Sequence, residues 1–187
     1  MNLFIDTTNW KLVYILEKNN KIVDKLIVDN NKKISDIAIE KLKEFLTNNN
    51  LTIKDIDSFY LTKGPGSYTG VRVGLTIVKT IKVLNNNIKV YLIDSLMFQA
   101  GKNKAISILD ARGNKYYFAV YDQFKILENV KLIEADQLDF YIKKYNDFKL
   151  VKDYEIDFAN TYLETKEMFE FVDDINSINP LYVKGFI

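Results

Sequence analysis

The sequence predicts an α/β fold built on a mixed sheet, and three observations carry that prediction. Runs of apolar and β-branched residues alternate with segments of helical period through the N-terminal half. Three strand-like runs come first with no helix between them, so a meander opens the sheet. Of the 187 residues, 48% are hydrophobic and 13% aromatic, which argues against disorder and fills a core in one unit or two small lobes.

The opening strands are expected at residues 3–6, 11–16 and 21–28, with polar turns at 7–9 and 17–20. A helix follows over 34–46. At about 100° per residue Ile34, Ala38, Ile39, Leu42, Phe45 and Leu46 share one arc, with Asp36, Glu40, Lys43 and Glu44 opposite. Ile37 sits alone among those charges, a hint of a contact. The next strand is expected at 58–62, then a glycine-rich segment at 63–74 that runs into a helix ending near Leu84. A strand at 89–93 leads to a short helix, 96–100, capped by Asp94 or Ser95. Gly101-Lys102-Asn103 marks a change of lobe, dividing the chain into 1–101 and a smaller 102–187. Beyond it, strands at 105–109 and 116–121 flank the turn Asp110-Ala111-Arg112-Gly113-Asn114. A strand at 125–133 and a helix at 136–145 come next, and a further helix is expected around 162–171.

Two absences narrow the chemistry. With no Cys there is no disulfide, thiolate nucleophile or Cys-ligated metal; with no His there is no imidazole ligand and no Ser–His or Cys–His nucleophile. Carboxylate-bound Mg²⁺ or Ca²⁺ stays open, as does acid–base work by carboxylate, Lys or Tyr. The 26 basic and 25 acidic residues are scattered and nearly cancel, unlike the basic stripe of a free-standing nucleic-acid binder. All the basic residues are Lys except Arg72 and Arg112. With no basic leader and no apolar run near the ~18 residues that span a bilayer, a cytoplasmic location without membrane contact is expected.

Three readings fit Lys63-Gly64-Pro65-Gly66-Ser67-Tyr68-Thr69-Gly70-Val71-Arg72-Val73-Gly74. As a phosphate loop it would use backbone amides at a helix N-terminus, but its spacing matches neither the P-loop nor the dinucleotide fingerprint. As a tight turn it would end in Thr69 as N-cap, leaving Gly70 and Gly74 in the helix at about 1 kcal/mol each against Ala. As a docking helix it would turn Val73, Gly74, Ile77, Ile81 and Leu84 to the sheet. Val71, Leu75 and Val78 would then widen the apolar arc until a second neighbour is needed, another helix or another protein.

Gly-Pro-Gly-Ser-Tyr-Thr-Gly-Val-Arg-Val-Gly closely resembles the signature of the bacterial TsaB (YeaZ) family, with Tyr68 in place of Phe. Ile5-Asp6-Thr7-Thr8, Ile108-Leu109-Asp110-Ala111-Arg112 and Asn179-Pro180-Leu181-Tyr182-Val183-Lys184 resemble further family motifs; Ile34 replaces a common His. The resemblance implies an actin/Hsp70-like, RNase H-like two-lobed fold with mixed sheets and, here, a reduced C-terminal lobe. It implies a non-catalytic subunit, without cofactor or metal, that pairs with a catalytic paralogue, TsaD, and works with the ATPase TsaE. Their joint task is to attach threonylcarbamoyl to the adenosine beside the anticodon of tRNAs reading ANN codons, with tRNA met only through the complex. Such subunits can also form homodimers. The paralogue contact through the first two helices assigns Ile37, Val71, Arg72, Leu75, Val78, Lys79 and Lys82 to the partner interface.

In related ATPases the loop at Asp6-Thr7-Thr8 holds phosphate and metal with a second Asp loop. Here the first loop has no glycine and the second lacks the paired glycines, so Asp6, Thr7 and Asp110 read as relics of a cofactor site. The competing reading is an ATP-binding enzyme of the actin/sugar-kinase type that uses Asp6 and Asp110. A glycoprotease-like hydrolase lacks its nucleophile or metal.

Overall fold

In the computed structural model, which describes residues 1–29 and 34–183, the expected meander opens the chain. β1 (Asn2–Asp6), β2 (Lys11–Lys18) and β3 (Lys21–Asp29) pair antiparallel in sequence. β4 (Ser58–Thr62) lies parallel to β1 and β5 (Lys89–Ile93) parallel to β4, which makes the sheet mixed. β1 and β4 are buried along nearly their whole lengths because both faces of the sheet are covered.

Two helices cover one face: α1 (Ile34–Asn48) and α2 (Tyr68–Leu84). Leu3, Ile5, Leu12, Tyr14 and Leu16 of the sheet pack there with Ala38, Leu42, Phe45 and Leu46 of α1. Tyr14 Oη donates to the Ala38 carbonyl at 2.7 Å, pinning α1 to β2. The opposite face packs Phe4, Val13, Ile15 and Tyr60 against α3 (Ser95–Ala100) and α5 (Phe158–Thr165). These two helices are shared with a second sheet of order β8-β7-β6-β9. Its strands are β6 (Lys104–Arg112), β7 (Lys115–Asp122), β8 (Lys125–Glu134) and β9 (Lys149–Lys152), with α4 (Leu138–Lys144) on the outer face.

The structure adds to or corrects the sequence reading in four places. First, the chain after residue 102 crosses back once: β10 (Glu170–Val172) returns to pair with β5, giving the order β10-β5-β4-β1-β2-β3. Second, α5 starts before residue 162, where Asp157 Oδ1 accepts the amides of Ala159 and Asn160 as an N-cap; residues 170–171 are strand, not helix. Third, Ile39 is 70% exposed while Ile37 packs half-buried against the core, so α1 is rolled away from the expected arc. Fourth, α2 is rotated: Val71, Leu75, Val78 and Lys82 face the sheet, whereas Val83 and Leu84 are exposed and Val73, Ile77 and Ile81 only partly buried. The buried arc of α2 contains Gly70, Gly74 and Lys82, and so looks less apolar in sequence than the outer one. Lys82 is paired inside: Nζ donates to the carbonyls of Asn86 and Ile88 at 2.8 Å and lies 3.9 Å from Asp173.

Among the described residues no helix is long and apolar enough to cross a membrane. Lys184, the end of the closing motif, lies outside the described residues.

Candidate functional site

The glycine segment is built around the loop that ends β1. Thr7 Oγ1 donates to the Gly70 carbonyl at 2.7 Å and accepts from the Gly74 amide at 3.1 Å, so one hydroxyl is threaded into the first turns of α2. A Cβ at Gly70 would lie 2.1 Å from the Thr7 carbonyl oxygen and one at Gly74 2.7 Å from Thr7 Oγ1. A Cβ at Gly66 would lie 2.2 Å from the Thr8 carbonyl oxygen. The recurrent glycines are therefore required by a close approach of the chain to itself. Ser67, not Thr69, is the N-cap, its Oγ accepting from the Gly70 amide at 3.3 Å. The Ser67 amide itself donates to the Thr8 carbonyl at 2.7 Å. Gly64, at φ +95°, lets the chain turn while Lys63 O accepts from the Leu181 amide and Gly64 O from the Ser95 amide. Thus the amides of Ser67 and Gly70, which a phosphate loop would offer to its anion, are already bonded within the chain.

Asp6 and Asp110 do not share an environment. Asp6 is fully buried; its Oδ1 accepts the Thr8 amide at 2.7 Å and the Thr8 hydroxyl at 2.8 Å. Asp6 Oδ2 and Thr62 Oγ1 meet no partner at full hydrogen-bond geometry among the described residues, although the Thr62 and Tyr154 hydroxyls lie near enough to the carboxyl to favour its charged form. Over this cluster sits the equally buried Tyr154, whose hydroxyl is 2.9 Å from Thr8 Oγ1. Burial pushes the Asp6 carboxyl up from its ordinary range, only partly opposed by the Thr8 bonds, and pushes the Tyr154 hydroxyl up as well. Asp110 is exposed: its Oδ1 accepts the Arg112 amide and its own amide donates to Asp153. Arg112 sits in the turn at φ +64°. Among the described residues no group of three or more acidic side chains comes together as a metal site.

The α1–α2 face is different in kind. Ser35 and Ile39 of α1, with Tyr68, Thr69, Arg72, Val73, Thr76 and Ile77 of α2, line an open groove of about 320 Å³. Of the residues assigned to a partner interface, Arg72 lines this groove. Val71, Leu75, Val78 and Lys82 are in the interior, at 5%, 2%, 0% and 4% exposure, and cannot touch a partner. Ile37 is against the core, and Lys79 is held by Asn179 Oδ1 at 3.2 Å. Ile39, Val73 and Ile77 were missed as groove residues because the sequence places them in arcs expected to be buried. Their signal is width: α2 is apolar around more of its circumference than a sheet can cover. At the rim, the Arg72 guanidinium lies 3.4 Å from the centroid of the Tyr68 ring and 5.4 Å from that of Tyr182.

A family model described as TsaD: tRNA N6-adenosine threonylcarbamoyltransferase matches residues 29–173. The protein MG208 of Mycoplasma genitalium is 28% identical over 188 residues, covering 97% of this chain and 94% of that protein. The tRNA threonylcarbamoyladenosine biosynthesis protein TsaB of Bacillus subtilis is 31% identical over 135 residues, covering 68% of this chain and 58% of its own. Among solved structures, YeaZ from Pseudomonas aeruginosa superposes with a TM-score of 0.72 at 12% identity, over 97% of this chain and 99% of that one. A P. aeruginosa protein described as similar to peptidase YeaZ gives 0.76 at 13% identity, over 98% and 99%. At those identities the likeness is one of fold, the two-lobed actin-like α/β architecture.

Proposed function

The chain belongs to the TsaB (YeaZ) family, and on that premise we propose that it is a partner subunit rather than a catalyst in tRNA threonylcarbamoyladenosine biosynthesis. It holds a catalytic paralogue of the TsaD type through the outer face of α1 and α2, and works alongside the ATPase TsaE. The tRNAs served are those reading ANN codons, met through the assembled complex. Alone, the chain pairs with itself through the same face.

The observation that carries this reading is the closure of the β1 loop. Asp6 is buried beneath Tyr154 and Thr7 is spent on α2, whereas Asp110 is exposed, so the two carboxylates that an ATP-binding enzyme would use stand in different environments. On α1 and α2 the exposed aliphatic side chains are Ile39, Val83 and Leu84, and Val73 and Ile77 line the groove with Ile39. Burying a few such side chains contributes about 1.5–3 kcal/mol each, enough to hold a partner.

Sedimentation of the chain with and without the TsaD paralogue of the same cell tests this. The expected result is a hetero-complex that displaces self-association, while calorimetry on the chain alone detects no ATP–Mg²⁺ binding. Tight ATP–Mg²⁺ binding that is lost in Asp6→Ala and Asp110→Ala would instead support the enzyme reading.

A further inference from the structure

The C-terminal segment that follows β10 lies along α2 and meets all three of that helix's cations, Arg72 in a different way from Lys79 and Lys82. Beside Lys82, at the C-terminal end of α2, it sets Asp173. Ile178, fully buried, anchors the segment in the core, and Asn179 accepts from Lys79. It then crosses to the N-terminal end of α2, where the Leu181 amide bonds to Lys63 O and Tyr182 reaches Arg72. Lys82 and Lys79 thus receive oxygen partners. Arg72 receives aromatic rings, and no described carboxylate forms an ion pair with it.

Stacking of this kind has a consequence for the guanidinium. The guanidinium carbon lies 3.4 Å from the Tyr68 ring centroid and 5.4 Å from that of Tyr182, and although both tyrosines also interact with it as hydrogen-bonding side chains, two hydroxyls leave most of its five N–H donors to a partner. A flexible side chain is held in one orientation before any partner arrives, so less entropy is lost on binding. The two tyrosines are 67% and 55% exposed with ring centroids 6.3 Å apart, Tyr68 lining the α1–α2 groove and Tyr182 beside it. Tyr and Arg are the residue types that most often dominate binding energy at interfaces, and a planar fork suits a carboxylate as an ammonium does not.

We propose that Arg72, held by Tyr68 and Tyr182, is the receptor for a carboxylate side chain of the docking partner, and that Tyr182 is its positioning residue. This rests on the docking function proposed above and adds the chemistry of the partner's surface. An acidic side chain on the catalytic paralogue meets Arg72, and apolar side chains beside it enter the groove of Ile39, Val73 and Ile77. It also gives the segment after β10 a task, that of completing the rim.

The test is the dissociation constant of the complex with the paralogue, measured by titration at several salt concentrations. Arg72→Ala is expected to weaken binding at least tenfold and to flatten its salt dependence, since an ion pair has been removed. Arg72→Lys keeps the charge and the stem but loses the fork, and is expected to lose nearly as much; it also serves if the alanine variant does not fold. Tyr182→Ala is expected to weaken binding several-fold with the thermal midpoint of the free chain unchanged, whereas Tyr182→Phe keeps the ring and binds as wild type. Wild-type affinity and salt dependence in both Arg72 variants overturn this inference alone. No binding by the wild type overturns both it and the docking function. If the Arg72 variants assemble normally but the complex loses tRNA, the guanidinium serves RNA and the proposal falls.

Discussion

Because Thr7 Oγ1 bonds both the Gly70 carbonyl and the Gly74 amide, α2 approaches β1 only as closely as hydrogens at positions 70 and 74 permit. Gly70→Ala sets two effects against each other. Alanine favours a helix by about 1 kcal/mol over glycine. Its Cβ at 2.1 Å from a backbone oxygen forces α2 outward, an overpacking cost of about 1–3 kcal/mol. The clash is with backbone, which cannot swing aside, so urea denaturation is expected to show a net loss with an unchanged slope. A gain in stability would mean that the Thr7 contact is not what holds the helix. Asp6 offers a test by pH. Its carboxyl is raised in the folded chain, so folding favours the protonated form. The stability it contributes is present below the ordinary 3.8 and is lost as pH rises through the folded value. Asp6→Asn keeps an oxygen for Thr8 and has no charge to bury. Its melting midpoint is expected to exceed wild type at neutral pH, with the gain shrinking as pH falls toward 3.8.

At the scale of elements, the rotation of α2 separates substitutions that lie two residues apart. Leu75→Glu puts a charge at a position 2% exposed and is expected to cost more than about 4 kcal/mol, unfolding the chain by circular dichroism. Ile39→Glu, at an exposed position, should leave the melting midpoint within about 2 °C, and Ile77→Glu, half-buried on the groove, should lower it without unfolding the chain, while each cuts paralogue binding at least tenfold. Unchanged binding in both groove variants would remove α1 and α2 from the interface. The rotation was not legible in the sequence, because Gly70, Gly74 and Lys82 dilute the buried arc and Val73, Ile77 and Leu84 enrich the outer one. Lys82 in particular is buried through the carbonyls of Asn86 and Ile88, which a helical wheel does not include. The meander and the βα alternation were legible, since those strands are long enough to show their pattern. β9 and β10, of four and three residues, were not; nor was the segment after β10, whose contacts are with residues about 100 positions earlier.

For the whole molecule, two sheets share α3 and α5 between them, and the chain returns through β10 to the sheet where it began. The segment after β10 also reaches α2, and the loop after β1 clamps that helix through Thr7. The glycine signature was legible as a motif and as a family mark. Its physical role was not, because Thr7 and Gly70 are 63 residues apart in sequence and meet only in the fold. On the proposed docking function, this architecture would stiffen the α1–α2 face, with Asp6 as a buried cap at the end of β1.

The most direct measurement compares tRNA threonylcarbamoylation by complexes reconstituted with Asp6→Asn and with Ile77→Glu. The expected result is wild-type activity for Asp6→Asn and, for Ile77→Glu, a loss that tracks the unassembled fraction and recovers as subunit concentration is raised. Abolished activity in an intact Asp6→Asn complex, with full activity in Ile77→Glu, would contradict the account.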